Sequence, residues 1–166
     1  MPPKVKITKK EILQASLDLL RKEGQAAINA RNIAAALQCS TQPVFSNFST
    51  MEELQIELLG EVYDCYYGFL EREAARGEYP QYKAFGMAYI RFAAEEKELF
   101  KLMMMRDRGG KPAEPAADFE MSIRMLMSAN AITREQAELM HLLLQSADRG
   151  IAVVHPNPSR FNCFPL

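Results

Sequence analysis

The sequence predicts an all-α protein: an N-terminal three-helix unit carrying a helix-turn-helix, followed by a longer helical domain. Three observations predict it. No stretch of β-branched alternation is long enough to make a strand. The segments Thr8-Lys9-Lys10-Glu11, Thr50-Met51-Glu52-Glu53 and Thr133-Arg134-Glu135-Gln136 each fit the capping box. In that motif a hydroxyl and a carboxyl or amide reciprocally satisfy N–H groups that a helix start leaves orphaned. Behind the first of them, Ile12, Leu13, Ser16, Leu17 and Leu20 fall on one helical face.

Taken in order, the first helix runs over residues 8–23, and Gly24 stops it. Asn29 can cap a short second helix whose apolar residues Ile33, Ala34 and Leu37 share a side. Ser40 can cap a third helix over residues 41–47, with Pro43 in the first turn, where its missing N–H does no harm. Only Gln38-Cys39-Ser40 separates the two, which is helix-turn-helix spacing. Thr50 opens a long fourth helix, 51–75, ended by Gly77 and Pro80. Helices follow at 81–95, 97–105, 116–129 and 133–154, with Gly109, Gly110, Pro112 and Pro115 marking one loop between them. After Val154 the pattern is lost, so 155–166 reads as an irregular tail.

Composition and charge narrow the function classes. The 166 residues are 48% hydrophobic and 25% charged, ordinary for a globular chain. No apolar run approaches the roughly 20 residues that span a bilayer. The start, Met1-Pro2-Pro3-Lys4-Val5-Lys6, is basic but has no apolar segment behind it, and Cys39, Cys65 and Cys163 are scattered. The expectation is a cytoplasmic protein without a disulfide framework. The net charge of −1 hides an asymmetry: residues 1–50 carry seven Lys/Arg against three acids, and the rest is acidic. A basic front suggests contact with a polyanion. An enzyme is not expected. His141 and His155 lie on different elements with no Cys or acid at metal-ligand spacing, and neither a phosphate loop nor a nucleophile elbow occurs. Each histidine reads as a surface or core residue, Glu95-Glu96 with Glu98 as a solvated helix end, and Cys39 as small filler beside the turn. No catalytic residue, metal or cofactor is assigned.

The most informative stretch is 29–54. A short helix with small and polar residues on its outer face can enter the major groove. Thr41, Gln42 and Ser46 are candidates for base edges, glutamine being suited to adenine, and Pro43 for a thymine methyl. Thr41, Gln42, Ser46 and Asn47 are expected to be exposed, since nothing in the pattern gives them a packing role. Arg31, in the first turn of helix 2, is a candidate phosphate clamp with the N-terminal lysines.

Over residues 5–60 the chain resembles the tetracycline-repressor (TetR) family. The resemblance rests on helix 1 (ILQASLDLLRKEG), the Ile33-Ala34 pair, Ser40, the Val44-Phe45 and Phe48 end of the recognition helix, and the Glu52-Glu53-Leu54 opening of helix 4. It implies a DNA-binding domain in 1–50, with helix 4 as connector, and a helical ligand-binding and dimerisation domain in 51–154. It implies a ligand-responsive regulator, most often a repressor, that binds a palindromic double-stranded operator as a homodimer. By the same resemblance Phe45 and Asn47 occupy places that usually touch phosphate, although Phe45 lacks the hydroxyl. The chain departs from the family pattern in two further ways. Gln38 stands where glycine is usual, and must either accept a left-handed conformation at roughly 1 kcal/mol or avoid it. Met51 replaces a lysine that would meet phosphate. The alternative reading is a helical small-molecule-binding or protein-interaction module that has lost specific DNA binding.

In the second domain Tyr66, Phe69, Tyr89, Phe92, Phe100, Met104, Met121 and Met125 are the candidates for an effector cavity. Methionine and aromatic surfaces adapt to irregular ligands. Residue by residue, however, the spacing favours an ordinary helical core, and it is the resemblance that implies a small-molecule site. Family members end in two long helices that make the dimer. Here one is visible, 133–154, with Ala137, Met140, Leu144, Ala147 and Ile151 on a common face. Pro156 and Pro158 forbid its continuation. The expectation is a weak dimer built mainly on this helix, or another partner surface.

Overall fold

In the computed structural model, residues 7–105 and 116–154 are described. The tail 155–166, the 106–115 loop, Lys4, Lys6, His155 and Cys163 lie outside them. Among the described residues the helices are α1 (Lys9–Glu23), α2 (Ala30–Ala36), α3 (Gln42–Asn47), α4 (Met51–Arg76), α5 (Gln81–Glu95), α6 (Lys97–Met105), α7 (Ala116–Asn130) and α8 (Arg134–Val154), with a 3-10 turn at Gln25–Ala27. No strand occurs among the described residues. None of their helices is long and apolar enough to cross a membrane.

All three capping signals become helix starts. Thr8 Oγ1 accepts from Glu11 N at 3.3 Å while the Glu11 carboxylate accepts from Thr8 N at 2.7 Å. At α8 the Thr133 hydroxyl and the Gln136 amide oxygen exchange the equivalent bonds at 3.3 and 3.0 Å. At α4 the Thr50 hydroxyl accepts from Glu53 N at 3.0 Å, but the Glu53 carboxylate reaches back one residue further, to Ser49 N at 2.7 Å.

The chain forms two compact units. The first is Met1–Cys65 with Glu96–Met103, and the second is Tyr66–Glu95 with Met104–Leu166. In the first, α1 packs on α2 and α3, and α2 on α3. Its interior holds Ile12, Leu20, Ile33, Val44, Phe48, Leu54 and Leu58, all almost wholly buried. Gly24 closes α1 at φ 80°, donating to Leu20 O at 2.9 Å. It is the backbone angle that requires glycine; a Cβ there would stand 2.9 Å from Glu98 Oε2, the end of a side chain that can move aside. In the second unit α5 and α7 pack on α8. Ile123, Leu126 and Ala137 form a core flanked by Tyr82, Phe119, Met127, Ile132 and Met140.

The structure corrects several sequence expectations. Ser40 does not cap the third helix. Thr41 is its N-cap, with helical dihedrals (φ −70°, ψ −12°) and no side-chain cap bond. The reason is Pro43: it sits where one capped N–H would be, and the next donor, Val44 N, already bonds Thr41 O at 3.1 Å. Glu96 and Glu98 are not a merely solvated helix end, since they pair with Arg21 and Lys101. His141, read as a surface or core residue, is the latter, and this accords with the sequence: its Nδ1 lies 2.8 Å from the Tyr82 hydroxyl. Of the face expected on α8, Ala137 and Met140 pack into the core, Leu144 is half-buried, Ala147 is exposed, and the Ile151 side chain lies outside the described residues; the large apolar residues exposed among those described on this helix are Leu139, Leu142 and Leu143.

Candidate nucleic-acid interface

The geometry of the α2–turn–α3 unit is set at the turn. Leu37 is the C-cap of α2, Cys39 N donates to Ala34 O at 2.9 Å, and Gln38 N donates to Ala35 O at 3.1 Å. These are the two bonds of a Schellman closure, which places its central residue in the left-handed region. Gln38 accordingly has φ 52°. The chain therefore accepts the strain that glycine would avoid. At the other end of α2, Asn29 Oδ1 caps Asn32 N at 3.0 Å, and Asn32 Nδ2 donates to Ala27 O at 3.0 Å. Both ends of this seven-residue helix are thus tied, which a helix so short needs in order to hold shape.

Turned inward, Val44 and Phe48 anchor α3 in the core. The outward row is Gln42, Phe45 and Ser46, at helical spacings of three and four residues, with Phe45 53% exposed. Ser46 Oγ donates to Gln42 O at 2.9 Å, leaving its oxygen lone pairs as acceptors. Arg31 and Ser40 are exposed, and Pro43 is half-buried. Arg31 shares an open surface hollow with Asn29, Ala30 and Asn32.

Thr41 and Asn47 differ from expectation in being half-buried. The Asn47 amide nitrogen donates to Pro43 O at 2.8 Å and to Ile7 O at 3.3 Å. Among the N-terminal lysines, Lys9 is committed within the unit: its ammonium pairs with Glu57 and lies 4.9 Å from the centre of the Phe48 ring. Lys10 is exposed.

Of the effector candidates, four come together. In the second unit, the Tyr66 ring lies 6.4 Å from Tyr89 and 5.4 Å from Phe92, and Phe69 lies 5.3 Å from Phe92. Met121 is exposed, and Met104 and Met125 are half-buried. Phe100 belongs to the first unit and is buried there.

Beside the aromatic cluster is a group that sequence reading missed. Glu73, one turn after Phe69 on α4, is only 4% exposed, with Oε1 3.0 Å from Arg91 Nε and 3.3 Å from Arg76 Nε. Its other oxygen, Oε2, has no protein partner. The missed signal was positional: Tyr66, Phe69 and Glu73 fall on one helical face, so the acid had to share the environment of the aromatics.

No family pattern matches the chain, and no curated protein is similar to it in sequence. Among solved structures it is similar to a member of the TetR family from Streptomyces coelicolor A3. That likeness covers 91% of each chain at 13% sequence identity, with a TM-score of 0.61. The all-helical, TetR-like fold expected from the sequence is thereby shown.

Proposed function

We propose that this protein is a cytoplasmic transcription regulator that binds a palindromic DNA operator as a homodimer and releases it in response to a small-molecule effector. The carrying observation is the exposed row Gln42, Phe45 and Ser46 on a helix fixed at its turn by the Gln38 closure and at its core side by Val44 and Phe48. A rigid short helix offering polar side chains outward is what a major groove admits. The TetR-like fold supports the same reading. Repression is the expected mode: free protein would occupy the operator, and an effector that prefers another arrangement of the two heads would shift the population away from it.

The alternative, a helical binding module without specific DNA contacts, draws support from particular residues. Met51 offers no charge, Lys9 is engaged with Glu57, and the donors of Asn47 are turned inward.

Selection of genomic fragments by the purified protein, repeated in the presence of metabolite pools, separates the two. A regulator enriches a defined palindrome at low salt. Gln42→Ala then weakens that site by roughly 1–3 kcal/mol while sparing random DNA. Arg31→Ala weakens both alike and lowers the salt slope by about one. Absence of any sequence preference overturns the regulator reading. A metabolite that stabilises the protein yet leaves DNA binding unchanged supports the binding module instead.

A further inference from the structure

We infer that Glu73 and Arg91 are the polar anchor of the effector site, and that the ligand they select is a small uncharged aromatic hydroxyl compound, of the phenol class. The inference rests on the effector-responsive reading above and names the chemistry of that site. Its residues all lie in the second unit. Glu73 is 4% exposed, yet only one of its oxygens is used. Oε1 meets both cations, Arg91 Nε at 3.0 Å and Arg76 Nε at 3.3 Å, while Oε2 is buried without a partner. The contact with Arg91 is one of charge, since the buried Arg91 Nε makes no hydrogen bond. Buried polar groups left in this state are costly, and a group that satisfies them recovers the cost. One acceptor and one donor are thus unmet on the same ion pair. A single hydroxyl serves both, because it donates once and its oxygen accepts.

The neighbours of the ion pair set the rest of the ligand. Phe69 stands one turn before Glu73 on α4, and Phe92 follows Arg91 on α5. Their rings are 5.3 Å apart, and the Tyr66 ring is 5.4 Å from Phe92. Phe69 and Phe92 are buried, whereas Tyr66 and Arg91 are half-buried, so the cluster is not sealed from solvent. A water molecule would meet the same two polar groups but gains nothing from the rings beside them; an aromatic body does. With the rings already in contact, the space suits one ring and not a fused system. Charge narrows the class further. Glu73 already faces two guanidiniums, so an organic cation would meet an excess of positive charge. A carboxylate would set acceptor against acceptor at Oε2. A neutral hydroxyl avoids both penalties.

The test has an arm that needs no DNA. Phenol, anisole (which keeps the oxygen but not its proton), benzylammonium and benzoate are titrated into the full-length protein and followed by calorimetry. Phenol should bind at least roughly tenfold more tightly than each of the others, the scale of a hydrogen bond to a charged group. No phenol binding at millimolar concentration overturns the site. Anisole within about twofold of phenol overturns the hydroxyl anchor, and either ion binding as well as phenol overturns the charge argument. Glu73→Gln should weaken phenol several-fold and leave anisole unchanged, whereas Glu71→Gln, at an exposed acid two residues away, should change neither. Equal phenol affinity in Glu73→Gln and wild type overturns the role of Glu73. If Glu73→Gln does not fold, the four ligands compared on wild type decide by themselves.

The second arm adds the selected duplex. Saturating phenol should weaken duplex binding by wild type and not by Glu73→Gln, because coupling between two sites is reciprocal. If phenol binds as expected but the duplex is indifferent to it, the role as effector site is overturned while the phenol site stands. If a duplex is selected and released by some other metabolite while phenol does not bind, the regulator reading stands and the present inference falls.

Discussion

Arg21 Nε stands 3.0 Å from Glu96 Oε2 and 3.2 Å from Glu96 Oε1, joining the last turn of α1 to the bend that precedes α6. The same guanidinium approaches Asp18 at 3.6 Å and Cys65 Sγ at 3.7 Å. Two residues on from Glu96, Glu98 lies against Gly24. The start of α6 therefore belongs to the unit that carries the recognition helix. Hydrogen bonding to Glu96 pushes the Arg21 pKa further above its usual value, so the guanidinium stays charged at any working pH.

Removing either partner should loosen that junction without unfolding the protein. The pair is partly exposed, and such pairs contribute about 0.2–1 kcal/mol. Glu96→Gln and Arg21→Gln are each expected to lower stability by that order in chemical denaturation, with the difference from wild type shrinking as salt rises. Exchanging the two charges (Arg21→Glu with Glu96→Arg) should recover part of the loss. If each single change costs nothing even at low salt, the pair holds nothing.

Gln38→Gly should stabilise the protein. A side chain at φ 52° strains the Schellman turn, and glycine relieves about 1 kcal/mol of it while giving back part through a freer unfolded chain. The net gain expected is roughly 0.5 kcal/mol, about 1–2 °C in thermal midpoint for a chain of this size. Gln38→Val, β-branched in the same place, should move the midpoint the other way. A fall in stability for the glycine variant would show that the Gln38 side chain makes a contact outweighing its backbone strain.

The start of α1 should loosen in acid. The Thr8 backbone N–H, and then its hydroxyl, hold the Glu11 carboxyl below the ordinary glutamate range. A carboxyl depressed in the folded state adds stability that is complete above its unfolded pKa. That stability is lost as pH falls through the folded value. The protection of the first turn of α1 against hydrogen exchange, taken relative to the intrinsic rate at each pH, should therefore fall below about pH 4.3, the usual glutamate value. Glu11→Gln, which keeps an acceptor but does not titrate, should show no such change in that window. A wild type whose first-turn exchange follows the Gln variant at every pH would remove Glu11 from the cap.

Most element boundaries were legible because their causes are local. The Thr8 and Thr133 capping boxes, Gly24 and the helical spacing of Ile12, Leu17 and Leu20 act within a few residues, and they are formed as read. What escaped depended on partners distant in sequence. Asn47 reads as an exposed polar end of a recognition helix until Ile7, 40 residues earlier, takes one of its donors. Glu96 reads as a solvated acid until Arg21, 75 residues earlier, meets it. Glu73, to which the sequence assigns no role, acquires a partner only when α5 brings Arg91 beside it. The effector candidates were legible only in part, since Tyr66, Phe69, Tyr89 and Phe92 converge through the pairing of α4 with α5, whereas spacing alone could not separate them from Phe100 or Met121.

The faces of α8 bear on how the proposed homodimer would form. Ala137 and Met140, on the face expected from the sequence to meet a partner, are occupied by the core of Ile123 and Leu126. Among the described residues of α8, the large apolar side chains left for a partner are Leu139, Leu142 and Leu143, exposed to 60%, 59% and 62%. Their spacing of three and four residues makes them one stripe. In a two-fold dimer each stripe is used twice, so burying it would remove six leucine side chains from water. At about 1–1.5 kcal/mol for each half-exposed leucine, the gross gain is roughly 6–9 kcal/mol before the cost of association. That is enough for a dimer that dissociates on dilution, and not for an obligate one. Leu142→Glu places a charge in the stripe twice and should leave a folded monomer in sedimentation across a wide concentration range. Met140→Glu, aimed into the core, should instead lower the thermal midpoint by several degrees. Because two half-sites must be held together, the Leu142 variant should also lose selective DNA binding while its affinity for random duplex changes little. A Leu142→Glu protein that sediments as wild type would move the dimer contact away from α8.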